Sequence, residues 1–246
     1  MKKLFIALGC MVMLAACGGG GGGGTTPTPT TGFTTAMVSG KIMTSPHGTD
    51  VDTTVNKSDG TWYMTRTNPS APTIVIGSNS GTWSINSSGQ LISTKTATTF
   101  TDVVLNVPNT ITLVSSTSTG VTLSSNGNTV VYTYVDGTVG SGFTSSMLSG
   151  KSLTSPHGTT AIDTTVLNPN GTWTKTRANL SAPTVVVGTS SGTWSINSIG
   201  DLISTTTAST YTDVVLNVPN TIKLVSYTTT SVTMFSNNTT VIFTFL

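Results

Sequence analysis

Apolar and polar residues alternate along short stretches of this chain, and turn-forming residues separate the stretches. Near the middle of the chain, Val130, Tyr132 and Tyr134 occupy alternate positions, and the residues between them form a second face. Ile111 and Leu113 flank Thr112 in the same manner. A period of two is typical of a β-strand that turns one face to the core.

Strand-like stretches of this kind follow one another through the first half of the chain. The candidates are residues 37–43, 51–56, 61–66, 73–77, 81–86, 91–94, 110–116, 121–124 and 129–135. Asp59-Gly60, Ser88-Gly89 and Asn126-Gly127 lie between them, and such pairs supply the positive φ angles of tight hairpins. Eight or nine strands joined this way predict an antiparallel meander, closed as a barrel or packed as a sandwich.

The second half of the chain repeats the first. Residues 101–111 recur unchanged at 212–222, residues 44–49 recur at 154–159, and residues 80–87 recur at 191–198. A repeat of this length is a whole domain and not a solenoid unit. The sequence therefore predicts β-domain 1 at 32–135, a Gly-containing linker at 136–141 and β-domain 2 at 142–246.

Composition agrees with an all-β chain. It has 54 Thr and 31 Ser among 246 residues and no Glu, so helical bundles and doubly wound α/β folds are not expected. Only 7% of residues are charged, against about 25% in ordinary domains. Without Lys2 and Lys3, which we expect to be cleaved off, eight basic side chains balance eight acidic ones. No nucleic-acid partner is expected from such a neutral chain.

The N-terminus has the layout of a secretory signal peptide, residues 1–16, with a basic start and a short apolar run. It ends in Leu14-Ala15-Ala16-Cys17, which resembles the bacterial lipobox. The resemblance implies cleavage before Cys17 and attachment of lipid to its thiol. A Gly-rich and Thr-Pro-rich tether then completes residues 17–31. Gly18, instead of Asp, follows the cysteine, which by resemblance to lipoprotein sorting implies the outer membrane of the cell envelope.

A fold family can be named on short motifs. The first repeat resembles the small bacterial lipocalin-like domains at five short motifs. These are Ser39-Gly40-Lys41, residues 59–62, residues 80–85, residues 90–93 and the closing residues 129–134. The resemblance implies an eight-stranded up-and-down barrel in each repeat, that is, two tandem lipocalin-like barrels after the signal peptide and tether. An immunoglobulin-like sandwich is the competing architecture.

Six residues are candidates for ligand binding, because large aromatics and the only arginines fall at equivalent places in the two repeats. They are Trp62, Arg66, Trp83, Trp173, Arg177 and Trp194. The tryptophans either wall a ligand cavity or simply fill the core. Each arginine shares the strand parity of a tryptophan, so it either stacks on that ring or anchors a carboxylate ligand.

Catalytic and metal chemistry have little support in the sequence. His47 and His157 lie in Ser-Pro-His-Gly loops, where a Ser-His-Asp triad with Asp52 has no nucleophile-elbow motif beside it. Asp102 and Asp213 are isolated acidic residues, and calcium sites need several carboxylates close in sequence. Cys10 and Cys17 are the only cysteines. We therefore expect no enzyme activity, no metal and no cofactor.

Two functions remain open at this point. The first is a membrane-anchored, non-catalytic lipoprotein whose barrels bind a small apolar or amphipathic molecule. The second is a structural or surface-interaction protein whose β-domains are packed solid and take no small ligand. The expected partners are the membrane, through the lipid anchor, and, under the first function, a small apolar ligand. The sequence does not identify a protein partner.

Overall fold

The computed structural model describes residues 32–101 and 103–246. The predicted signal peptide, Cys17, the predicted tether and Asp102 lie outside the described residues. The first repeat forms a short helix, α1, and eight strands. Their bounds are α1 Thr35–Val38, β1 Lys41–His47, β2 Asp50–Asn56, β3 Thr61–Asn68, β4 Ala71–Ile85, β5 Leu91–Thr98, β6 Pro108–Thr117, β7 Gly120–Ser125 and β8 Asn128–Val135.

The second repeat builds the same set of elements after a two-residue strand, β9 Thr138–Val139. The elements are α2 Ser145–Leu148, β10 Lys151–His157, β11 Ala161–Leu167, β12 Thr172–Asn179, β13 Ala182–Ile196, β14 Leu202–Ser209, β15 Pro219–Tyr227, β16 Ser231–Ser236 and β17 Thr239–Phe245.

Each repeat closes into an antiparallel barrel in sequence order. In barrel 1 (β1–β8) every strand pairs with the next, and β8 returns to β1 through Met43 opposite Tyr134. In barrel 2 (β10–β17) β17 returns to β10, and β14 pairs with β15. The prediction of two tandem up-and-down barrels is confirmed, and the sandwich alternative is wrong.

The strand assignment differs from the prediction at two places. Residues 73–77 and 81–86 belong to one strand, β4, because Ser78 and its two polar neighbours are buried inside the continuous ladder. Residues 37–43 were expected to be strand from their start, but helix α1 ends at Val38 and β1 begins at Lys41. The hairpin prediction holds, since Gly60 and Gly89 have φ of +83° and +72°.

One end of each barrel is closed by the residues that precede its first strand. In barrel 1, Phe33 and Val38 are buried against Leu91, Val121 and other inward residues. The Phe33 amide donates to the Gly89 carbonyl, where these two segments of the chain are in contact. We call this end the floor and the opposite end, with the loop between β5 and β6, the mouth. In barrel 2, Phe143 and Leu148 occupy the same places.

The outer walls of the barrels pack against each other. Ile42, Val55 and Tyr63 of barrel 1 form a buried cluster with Val225 of barrel 2, which is 1% exposed. The Tyr63 and Phe235 rings lie 4.9 Å apart. Because these residues face outward on their barrels, the cluster is a core shared by the two repeats.

The segment between the repeats is part of this interface. Val139 on β9 pairs with Ser226 on β15, and the Gly140 amide donates to the Val225 carbonyl. A strand from the connection thus extends the sheet of barrel 2 instead of hanging free. The two barrels belong to one compact unit.

The mouth ends of the two barrels meet at a groove. The β4 segment near the mouth of barrel 1 borders a groove shared with Pro156, Gly158 and the start of β17, which belong to the mouth end of barrel 2.

No helix among the described residues is long and apolar enough to cross a membrane.

Candidate functional site

Barrel 1 encloses a cavity of about 200 Å³ between its floor and its mouth. Half of the lining residues are apolar and half carry a polar group. The lining consists of Met43, Asp52, Thr54, Asn56, Trp62, Met64, Asn79, Trp83, Leu91, Ser93, Lys95, Ile111, Leu123 and Tyr132. Since an apolar cavity of about 150 Å³ holds a benzene ring, this one is large enough for a ring or a short chain.

Two tryptophans give the cavity its apolar wall. The Trp62 indole donates to the Thr82 carbonyl at 3.1 Å, and the Trp83 indole lies 3.1 Å from the carbonyls of Lys57 and Thr61. Backbone oxygens therefore satisfy the polar atom of each ring. The carbon faces of both rings remain free to line the cavity.

Gly81 is what allows the Trp62 ring to lie across the sheet. A Cβ on Gly81 would meet the Thr94 carbonyl oxygen at 2.0 Å and Trp62 Nε1 at 2.9 Å. No side chain fits in that space. The Gly-Thr-Trp sequence that marks the repeat is thus a packing requirement of this wall.

A charged pair lies at the mouth of the barrel 1 cavity. Arg66 donates from Nε and Nη2 to the two oxygens of Asp52, at 2.6 and 2.8 Å. The guanidinium also lies 4.8 Å from the centre of the Phe100 ring. The hydrogen bond from Arg66 to Asp52 holds the pKa of Arg66 above its ordinary value. Arg66 therefore stacks on Phe100 and not on Trp62, and the Nε and Nη2 groups of its guanidinium are bound to Asp52.

Barrel 2 contains a matching cavity of about 190 Å³. Its lining is more apolar, with eight apolar residues and four polar ones. These are Leu153, Thr165, Leu167, Trp173, Lys175, Trp194, Leu202, Ser204, Thr206, Ile222, Met234 and Phe243. The indoles of Trp173 and Trp194 donate to backbone carbonyls at 3.1 Å, as in barrel 1.

A lysine joins the Asp–Arg pair at the mouth of barrel 2. Asp163 accepts two hydrogen bonds from Arg177, at 2.6 and 2.9 Å, and Lys175 Nζ lies 3.5 Å from the same carboxylate. Burial raises the pKa of Asp163, but the Arg177 hydrogen bonds and the charge of Lys175 outweigh it and hold that pKa below its ordinary value. Tyr211 replaces Phe100 over the arginine, at 4.6 Å.

Five equivalent positions differ between the two repeats at the cavities. Asn56 and Asn79 in barrel 1 correspond to Leu167 and Ser190 in barrel 2. Lys95 corresponds to Thr206, and Tyr132 corresponds to Phe243. In the other direction, Met64 of barrel 1 corresponds to Lys175. The polar residues that line the cavity differ between the repeats, whereas the two tryptophans and the Asp–Arg pair are the same in both.

The residues predicted from sequence are thus brought together, in two roles. Trp62, Trp83, Trp173 and Trp194 line the cavities, whereas Arg66 and Arg177 lie beside them, each bound to an aspartate. Sequence reasoning missed the polar lining residues Asn56, Asn79 and Lys95. Their inward parity relative to the tryptophans on neighbouring strands was the signal that pointed to them.

The histidines lie outside the cavities. His47 Nδ1 is 3.8 Å from Asp52 Oδ2, and its side chain is 57% exposed. His157 stands in the same relation to Asp163. Within residues 32–101 and 103–246, no three His, Cys, Asp or Glu side chains are grouped closely enough to hold a metal ion.

Comparison with known proteins adds no family assignment. No protein-family model matches the chain, and a search of curated proteins found no significant match. The architecture alone defines its class: a protein of two tandem eight-stranded antiparallel barrels, each with a cavity on its axis.

Proposed function

We propose that this chain is a membrane-anchored, non-catalytic binding protein, whose lipocalin-like barrels each hold one small amphipathic molecule. The observation that carries the proposal is the pair of cavities of about 200 and 190 Å³, at matching places in the two repeats. A barrel filled by its own side chains would have no such space in either copy.

The form of the cavities selects the size and character of the ligand. Drug-sized ligands occupy about 300–1,000 Å³, so these cavities take something smaller, a single ring or a short acyl chain. The tryptophan faces offer an apolar wall, and the charged groups near the mouth offer a place for a polar end. A short amphipathic molecule satisfies both.

The anchor comes from the Leu14-Ala15-Ala16-Cys17 motif, which supports lipid attachment at Cys17 and a place in the cell envelope, at the outer membrane. Labelled palmitate should be incorporated into the wild-type chain and be absent from a Cys17→Ser variant. If the variant still takes up label, the lipid is attached elsewhere and the lipobox interpretation is wrong.

Native mass spectrometry tests the binding proposal directly. The mature chain is isolated from its own membranes in mild detergent, and its mass is compared before and after denaturation. We expect a retained small molecule that denaturation releases. A bare mass, together with unchanged tryptophan fluorescence on addition of hexanol or hexanoate, would contradict the proposal.

A surface-interaction role is the second candidate, and exposed aliphatic side chains favour it. Val104 and Val107 in the loop after β5 are 74% and 57% exposed, and Val215 and Val218 in barrel 2 are 71% and 55% exposed. Exposed apolar groups of this kind mark interaction sites when they form a patch. Vesicle flotation of a Cys17→Ala chain, with and without Val104→Thr and Val215→Thr, tests it. Flotation that depends on the valines supports this role.

A further inference from the structure

Two buried amide groups in barrel 1 lack hydrogen-bond partners. Asn56 and Asn79 are 4% and 7% exposed, and both line the barrel 1 cavity. The Asn56 Nδ2 donor and the Asn79 Oδ1 acceptor have no partner among the described residues. Buried polar groups in folded proteins are nearly always paired, so both atoms call for a partner inside the cavity.

The equivalent positions in barrel 2 have no such requirement. Leu167 replaces Asn56, and the Ser190 hydroxyl lies 3.0 Å from that of Ser209. In the described part of barrel 2 the unpartnered buried side-chain atoms are Tyr211 Oη and Thr240 Oγ1, and neither residue is in the cavity lining. The same fold therefore packs without the two amides. Folding of the barrel therefore does not require Asn56 and Asn79.

The charges in the lining indicate a neutral partner. The barrel 1 lining contains one carboxylate, Asp52, and one ammonium, Lys95, whereas the barrel 2 lining contains only Lys175 as a charged group. A cation in barrel 1 would face Lys95, and a carboxylate, which only accepts hydrogen bonds, would leave Asn79 Oδ1 without a donor. A neutral group that accepts from Asn56 and donates to Asn79 satisfies both free atoms.

We propose that barrel 1 binds a small neutral molecule carrying both a hydrogen-bond acceptor and a donor, as an amide does, through Asn56 and Asn79. This inference rests on the proposed binding function and gives the ligand class of one barrel. Barrel 2 lacks the two amides and takes a different partner. The chain is thus a binder of two different small molecules.

Three six-carbon probes that share one tail test the proposal: hexanamide, hexanol and hexanoate. Isothermal titration of the full chain measures each affinity. We expect hexanamide to bind more tightly than hexanol, and Asn79→Ser or Asn56→Leu to weaken hexanamide about tenfold, since each leaves a polar group of the probe unpaired. Each variant places the equivalent barrel 2 residue in barrel 1. Ser190→Ala in barrel 2 is the control and should leave hexanamide affinity unchanged.

A measurement on the wild-type chain keeps the proposal testable if a variant unfolds. The side-chain amide resonances of Asn56 and Asn79 should shift in ¹H–¹⁵N spectra on addition of hexanamide. Equal binding of hexanamide and hexanol, or unshifted Asn resonances, overturns the amide site while the general binding function stands. Failure of all three probes to bind overturns both proposals, since ordered water alone then partners the amides.

Discussion

Asp52 and Arg66 lie directly opposite each other on β2 and β3, and two hydrogen bonds of 2.6 and 2.8 Å join their side chains. Asp163 and Arg177 repeat the arrangement in barrel 2, at 2.6 and 2.9 Å. A bidentate pair of this kind fixes both the planar orientation and the position of the guanidinium. Each arginine is therefore a brace between two strands at the mouth, and its charge is already matched inside the barrel.

Breaking this brace should cost stability. The Asp52 and Arg66 side chains are 15% and 18% exposed, so Asp52→Asn leaves a half-buried guanidinium without its counter-charge. We expect a loss of about 1–3 kcal/mol, since hydrogen bonds to a charged group are lost but the site is only partly shielded from water. Urea unfolding measures the loss. The double variant Asp52→Leu with Arg66→Met is the control and should recover most of the stability, because it leaves no unpaired charge.

Acid should weaken barrel 2 through Asp163. Its folded-state pKa is lowered, so its contribution to stability is complete above the unfolded pKa, near 3.8, and is lost as pH falls through the lower folded value. The melting temperature of the wild-type chain should therefore fall between about pH 5 and pH 2. In Asp163→Asn the stability is lower at neutral pH, and the fall should be shallower. An equally steep fall in the variant would assign the acid sensitivity to another group.

The antiparallel barrel of each repeat was predictable from sequence, whereas the polar content of the cavities was not. Two local signals agree with the folded structure. They are the alternation of residues such as Val130 and Tyr132, and the positive-φ turns at Gly60 and Gly89. Asn79 was not predicted as a lining residue, because Ser78, Asn79 and Ser80 separate two predicted strands, and only the continuous strand β4 buries them. The aromatic partner of Arg66 was also missed, because Phe100 reaches it from a loop.

Gly81 should not tolerate even a methyl group. The added carbon of Gly81→Ala would meet the Thr94 carbonyl oxygen, a backbone atom that moves only if the strand pair moves. We expect a loss of about 1–3 kcal/mol or more, as in overpacked cores. Gly48→Ala is the matched control, because its Cβ has open space and costs only the strain of φ +61°. Chemical denaturation should rank Gly81→Ala as the less stable variant.

The shared core between the barrels should make them unfold together. Val225 and Tyr63 are buried only by contact between the repeats, in the cluster that includes Phe235. Replacing Phe235 with Ser removes the ring that packs against Tyr63 and opens this core. Differential scanning calorimetry should show one transition for the wild-type chain and two for the variant. Two transitions already in the wild type would mean that the interface contributes little.

Lys175 should select for an acidic end group in the barrel 2 ligand. It is the only charged residue in that lining, and Asp163, the carboxylate beside it, is already bound to Arg177. Lys175→Met, which installs the barrel 1 residue, should weaken hexanoate binding about tenfold and leave hexanol binding unchanged, because only the anion uses the ammonium group. Lys223→Thr is the matched control, since Lys223 is exposed and Thr112 stands at its place in barrel 1. Equal losses of hexanoate affinity in both variants would trace the effect to net charge and not to the cavity.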